Sequence, residues 1–135
     1  MKRFIAIAAC VGTLTTTLHA QDIKAHIAKT NPSLDNATVV QIASELQQYP
    51  PIMTRIVERE STFNPIARNK NCIGLAGINK NVWLKNLIAE RVVEDIRDLW
   101  SIKGNIKAGW YIISQYKMCY CKYRGLHHER RRRHL

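Results

Sequence analysis

Beyond its first twenty residues the chain contains no apolar run long enough to cross a membrane, no internal repeat and no long alternating strand pattern. Those absences argue against further membrane spans, a repeat array or a large sheet, and leave a mostly α class with at most a scrap of sheet. Acidic side chains are scarce: ten Asp and Glu face 21 Lys and Arg, giving a formal net charge of +11. Such a surplus favours polyanions, among them nucleic acid, anionic glycans and membrane head groups, without choosing between them. Cysteine and histidine are few and follow no standard zinc spacing, even where Cys119 and Cys121 precede His127, His128 and His134, so no metal or other cofactor is expected.

The opening MKRFIAIAACVGTLTTTLHAQD places Lys2 and Arg3 before a short apolar stretch that turns threonine-rich and ends Leu18-His19-Ala20. That is the order of a secretory signal, with cleavage expected after Ala20. Thr13, Thr15 to Thr17 and His19 interrupt the run before it could serve as a membrane anchor of roughly 20 apolar residues. The expected layout is a signal peptide over 1–20, one folded domain over 21–126 and a basic, disordered tail over 127–135, HHERRRRHL. The expected location is the periplasm or the secreted space, with membrane contact only through the uncleaved signal. Three cysteines then remain, Cys72, Cys119 and Cys121. Cys119 and Cys121 are too close to bridge comfortably, so Cys72 is expected to pair with one of them, leaving an odd thiol.

Residues 22–29 read as a short helix stopped by Asn31-Pro32. Ser33 to Asn36 offer starting caps for an amphipathic stretch through Leu46, and Tyr49-Pro50-Pro51 closes it. A third helix is predicted from about Ile52 to Thr62, then loop with at most a small hairpin over 64–79, one or two helices over 82–100, and a last one capped by Asn105.

"RIVERESTFNPIARNKNCIGLAGIN", residues 55–79, sets two glutamates two positions apart. Residues three and four apart share a helix face, whereas residues two apart lie about 200° from one another. Glu60 follows Ile56 by four and Val57 by three and so falls on the apolar stripe. Glu58 falls on the opposite side, beside Arg55 and Arg59, where a solvated ion pair is the natural expectation. Desolvating a carboxylate favours its protonated form, which is what a general acid near neutral pH requires.

Glu60-Ser61-Thr62-Phe63-Asn64-Pro65-Ile66-Ala67 resembles the "ESxFxPxA" motif of the soluble lytic transglycosylases, lysozyme relatives that cleave peptidoglycan. Gly74-Leu75-Ala76-Gly77-Ile78-Asn79 resembles their "GLMQIN" segment, and Asn105-Ile106 with Gly109 resembles their "NIxxG" helix. The likeness covers roughly residues 33–116. It implies a mostly α, lysozyme-like α+β fold, with Glu60 as catalytic acid/base and Ser61 as its local support. Leu75, Ala76, Gly77, Ile78, Asn79 and Asn105 are implied to contact sugar. Tyr123, in Lys122-Tyr123-Arg124-Gly125, is the candidate for the family's late tyrosine near the carboxyl. The implied reaction cuts the β-1,4 bond between N-acetylmuramic acid and N-acetylglucosamine with formation of a 1,6-anhydro product. The implied partners are peptidoglycan strands and, by family association, a secretion or conjugation apparatus, not nucleic acid.

Two positions depart from the motif: Ala76 stands for methionine and Gly77 for glutamine. They keep a second expectation open, a wall-binding homologue with impaired catalysis; a muramidase is a third. VVQIASELQQYPPIMTRIVER also pairs two short helices as a DNA-binding helix-turn-helix would, but its Tyr-Pro-Pro turn is stiff and an exported protein is kept from DNA.

Overall fold

The computed structural model describes residues 19–116. The chain up to residue 18, Cys119, Cys121, Tyr123 and the basic tail lie outside the described residues.

Helix α1 occupies residues 19–30, buries Ile23 and Ile27 four apart on one face, and ends at Asn31-Pro32; the residue before a proline is disfavoured in the α region. Helix α2, Asn36–Leu46, is capped by Asp35, whose carboxylate accepts from the Thr38 amide at 2.8 Å and from the Thr38 hydroxyl at 2.7 Å. Helix α3, Pro51–Ser61, begins with proline at its first position, where the missing N–H costs nothing. It buries Met53, Ile56 and Val57.

Three two-residue strands follow: β1 Arg68–Asn69, β2 Cys72–Ile73 and β3 Ile78–Asn79. They form one antiparallel sheet, Arg68 opposite Ile73, Asn69 opposite Cys72, Cys72 opposite Asn79 and Ile73 opposite Ile78. The second hairpin exists because Gly74 and Gly77 take φ of +74° and +60°, letting the Gly77 amide bond back to the Gly74 carbonyl at 3.1 Å. Helix α4, Lys80–Ala89, is capped by Asn79. A 3₁₀ turn, Ile96–Trp100, leads into α5, Ile102–Tyr116.

Helices α2 and α5 pack together, α2 also meets α3, and α4 and α5 both contact β3. Phe63, Leu46, Met53, Leu99, Ile106 and Ile112, all fully buried, belong to the core between them. The chain is thus mostly helical with a small antiparallel sheet. No helix among the described residues is long and apolar enough to cross a membrane.

The start of α5 corrects one expectation. Asn105 is not its cap: the helix begins at Ile102, and the Ser101 hydroxyl accepts from the Gly104 amide at 2.9 Å. Trp110 and Ile113 are half-buried against the core, while Ala108 and Ile112 are buried.

The bonds from Thr38, its amide first, hold the Asp35 carboxyl below the ordinary aspartate value. A carboxyl depressed on folding adds stability that is present above its unfolded pKa and disappears as pH falls through the folded value. Asp35→Asn keeps a capping oxygen but cannot titrate there. Its melting temperature should therefore fall less steeply than the wild type's as pH drops below about 4, and parallel melting curves across that range would remove the cap from the acid response.

Candidate active site

A cleft of about 250 Å3 lies between the end of α3 and the sheet, lined by Glu60, Ser61, Thr62, Ala67, Arg68, Asn69, Cys72, Gly74 and Gly77. Among the described residues, Glu60 is the one carboxylate in that lining. The two glutamates separate as the helix geometry predicts: the Glu60 side chain is 16% exposed and the Glu58 side chain 38%.

Their partners differ from expectation. Glu58 pairs with His26 of α1 at 2.8 Å rather than with a neighbouring arginine. Arg59 turns to Glu60 instead, its Nε and Nη2 each donating to Oε1 at 3.2 Å. Adjacent helical residues diverge by about 100°, so this contact needs the long arginine stem to fold back, which no spacing rule signals.

The turn after Glu60 is bent in a way the sequence does not disclose. Thr62 and Phe63 both take left-handed backbone, φ +52° and +59°, at a cost of roughly 1–2 kcal/mol per residue for a side-chain-bearing position. Helix α1 and its exit hold them there. Asn31 Nδ2 donates to the Thr62 carbonyl at 3.0 Å, and the His26 ring meets buried Phe63 edge-on at 5.7 Å. Strained backbone of this kind concentrates at functional sites because the surroundings must over-determine it.

Gly77 closes the opposite wall. A Cβ built there would sit 3.2 Å from Glu60 Cβ and 3.3 Å from its Oε2. A side chain at this φ is strained as well as crowded. Gly77→Gln, which installs the glutamine of the motif this segment resembles, should therefore lower stability by about 1–2 kcal/mol and displace the Glu60 carboxylate. Denaturant unfolding and glycan binding check this, and a gain in both would show that the wall has room.

The other wall residues do not offer side chains to a ligand. Leu75, Ala76 and Ile78 are at most 1% exposed and belong to the core, and Asn79 is committed to capping α4, accepting from the Asn81 amide at 3.1 Å. Asn105 is likewise not a sugar contact. It is 1% exposed, and its amide group is spent on main chain: Oδ1 accepts from Ala76 N at 2.7 Å, and Nδ2 donates to the carbonyls of Leu99 at 2.7 Å and Ile73 at 3.1 Å. It fixes the wall from behind. Gly74 must be glycine for the same reason, since a Cβ would fall 2.0 Å from Asn105 Nδ2.

Ser61 lines the cleft, but its hydroxyl donates to the Val57 carbonyl at 2.9 Å, so it ties off the helix end rather than bonding Glu60. Asp95 and Asp98 are occupied elsewhere, the first with Arg97 and the second accepting from the Glu94 amide at 2.6 Å. No trio of His, Cys, Asp or Glu suited to a metal ion occurs among the described residues. Cys72 is disulfide-bonded and its mate lies outside the described residues, as Cys119, Cys121 and Cys10 all do. Tyr123 lies outside them too.

Comparison with family models, with curated proteins and with solved structures finds no match for this chain.

Proposed function

We propose that the protein is an exported lytic transglycosylase of lysozyme-like fold that cleaves peptidoglycan between N-acetylmuramic acid and N-acetylglucosamine. One observation carries this reading: a single, largely covered carboxylate in a cleft, faced by Gly77 from 17 positions further along the chain, on a wall that Asn105 holds from behind. In the proposed reaction Glu60 gives its proton to the glycosidic oxygen as the C1–O bond breaks. The resulting carboxylate then takes the proton of the muramoyl C6 hydroxyl while O6 bonds to C1. The proton returns to Glu60, no water is consumed, and one carboxyl serves as both acid and base. Ordinary glycoside hydrolysis instead places two carboxyls on either side of the bond, and Glu60 has no such companion in the cleft lining described.

Three features fix the position of that carboxylate. Arg59 anchors Oε1, the left-handed turn at Thr62 and Phe63 fixes where α3 ends, and Gly77 brings bare backbone to the Oε2 side. Digesting purified peptidoglycan and weighing the released muropeptides tests the reading. Anhydro ends are expected; hydrated reducing ends would replace it with a muramidase.

A second reading, a wall-binding homologue without turnover, is favoured by the bareness of the wall: Ala76 is fully buried and Gly77 has no side chain to grip an acetamido group. Binding to sacculi with no release of either product would select it.

A further inference from the structure

Around Glu60 the cleft offers few polar side chains that are still open to a ligand. The Ser61 hydroxyl is spent on the Val57 carbonyl, Gly74 and Gly77 have no side chains, Ala67 is apolar and Cys72 is disulfide-bonded. Thr62 is the exception nearest the carboxylate in the chain. It lines the cleft, is exposed, and its hydroxyl makes no hydrogen bond among the described residues. Two positions after Glu60, it lies within about 7 Å of it along the backbone.

Thr62 also stands where threonine is costly. Its backbone is left-handed, φ +52° and ψ +41°, a region in which a β-branched residue is an outlier and glycine is at ease. The main chain there is tied down at both ends: the Thr62 amide donates to the Glu58 carbonyl at 2.9 Å, and the Thr62 carbonyl accepts from Asn31 Nδ2 at 3.0 Å. The Ser33 hydroxyl donates to Asn31 Oδ1 at 2.6 Å, which leaves the amide nitrogen of Asn31 for Thr62. Only the side chain of Thr62 is left for a ligand, and strain maintained beneath such a side chain points to its use. Resting on the glycan reading above, we infer that Thr62 is a sugar-binding residue whose hydroxyl bonds an oxygen of the glycan beside the linkage that Glu60 protonates. The branched side chain has few rotamers and the turn under it is fixed, so little freedom is lost when that bond forms.

Three substitutions in the full protein separate the hydroxyl from the backbone that carries it. Thr62→Val keeps the branch but has no hydroxyl; on soluble peptidoglycan strands its KM should rise about three- to tenfold, the scale of one neutral hydrogen bond, with kcat within about twofold of wild type. Thr62→Ser, which restores the hydroxyl, should stay near the wild-type KM. Thr62→Gly relieves the left-handed strain, so it should unfold at no lower denaturant concentration than wild type and yet show the raised KM of the Val variant. A threonine that served the turn alone would give the opposite result, with the relaxed Gly variant at least as active as wild type. A wild-type KM in the Val or the Gly variant, or a Ser variant as impaired as Val, overturns the inference and leaves the proposed reaction standing. So does a lower kcat at unchanged KM, because the change would then act through Glu60 and not through a bond to sugar. If the wild type releases no product, the reaction fails instead, and cosedimentation with sacculi decides the inference. Weaker binding by Val than by wild type and Ser supports it; equal binding by all three, or none, overturns it.

Discussion

Glu60→Gln should remove turnover of peptidoglycan, by about 10²-fold at least and to the detection limit if no other group relays protons, while the protein still folds and still binds sacculi. The amide keeps the shape of the carboxyl, and its oxygen can still accept from Arg59, so the end of α3 has no reason to reorganise. What it loses is a proton to give and a lone pair basic enough to take one back. Glu58→Gln is the matched control. That side chain is more exposed, and its bond to His26 joins two partly solvated groups, an arrangement worth little. Activity within about twofold of wild type is expected there. Comparable losses in both variants, with unfolding curves unchanged, would mean that the acid has been misassigned; full activity in Glu60→Gln would remove the proposed chemistry altogether.

The distinction between those glutamates was legible in the sequence because it depends only on helical period. Ile56 and Val57 define the stripe, Glu60 continues it and Glu58 does not. The helices were legible for the same local reasons, apolar spacing closed by Asp35, by Pro50-Pro51 and by Asn31-Pro32. The sheet was only partly so: strands of two residues are too short to show an alternation, and its second hairpin depends on two glycine torsions.

Long-range polar contacts left no pattern at all. Asn31 reaches Thr62, His26 reaches Glu58, and Asn105 reaches Ala76 across 29 positions. Each joins side chains or main chain that only the packed helices bring together. Asn105 resembled a cap because asparagine near a helix start usually is one; tertiary burial gave it a different task. The same packing links α1 to the candidate site, since α1 and its exit steady the turn that follows Glu60.

Asn105→Ala should have the largest effect on stability of any single change argued here. It removes three hydrogen bonds at once and strands the Ala76 amide and the Ile73 and Leu99 carbonyls in a site that is 1% exposed. Each buried group left without a partner costs about 1–3 kcal/mol. A loss of about 3 kcal/mol or more follows, or a melting temperature lower by roughly 10–20 °C for a domain of this size. Asn105→Asp should be worse despite its closer shape. Oδ1 could still accept from Ala76, but the second oxygen would face two carbonyls, where the native nitrogen donates, and an ionised form would add buried charge. The order wild type, then Ala, then Asp therefore separates a specific amide from generic filling of space. Where the Ala variant is still folded, turnover should also fall, because Asn105 holds residues 73–76 and through them places Gly77 against Glu60. A loss below about 1 kcal/mol, with Asp no worse than Ala, would mean that water replaces the amide and that the wall is positioned by the glycine turn alone.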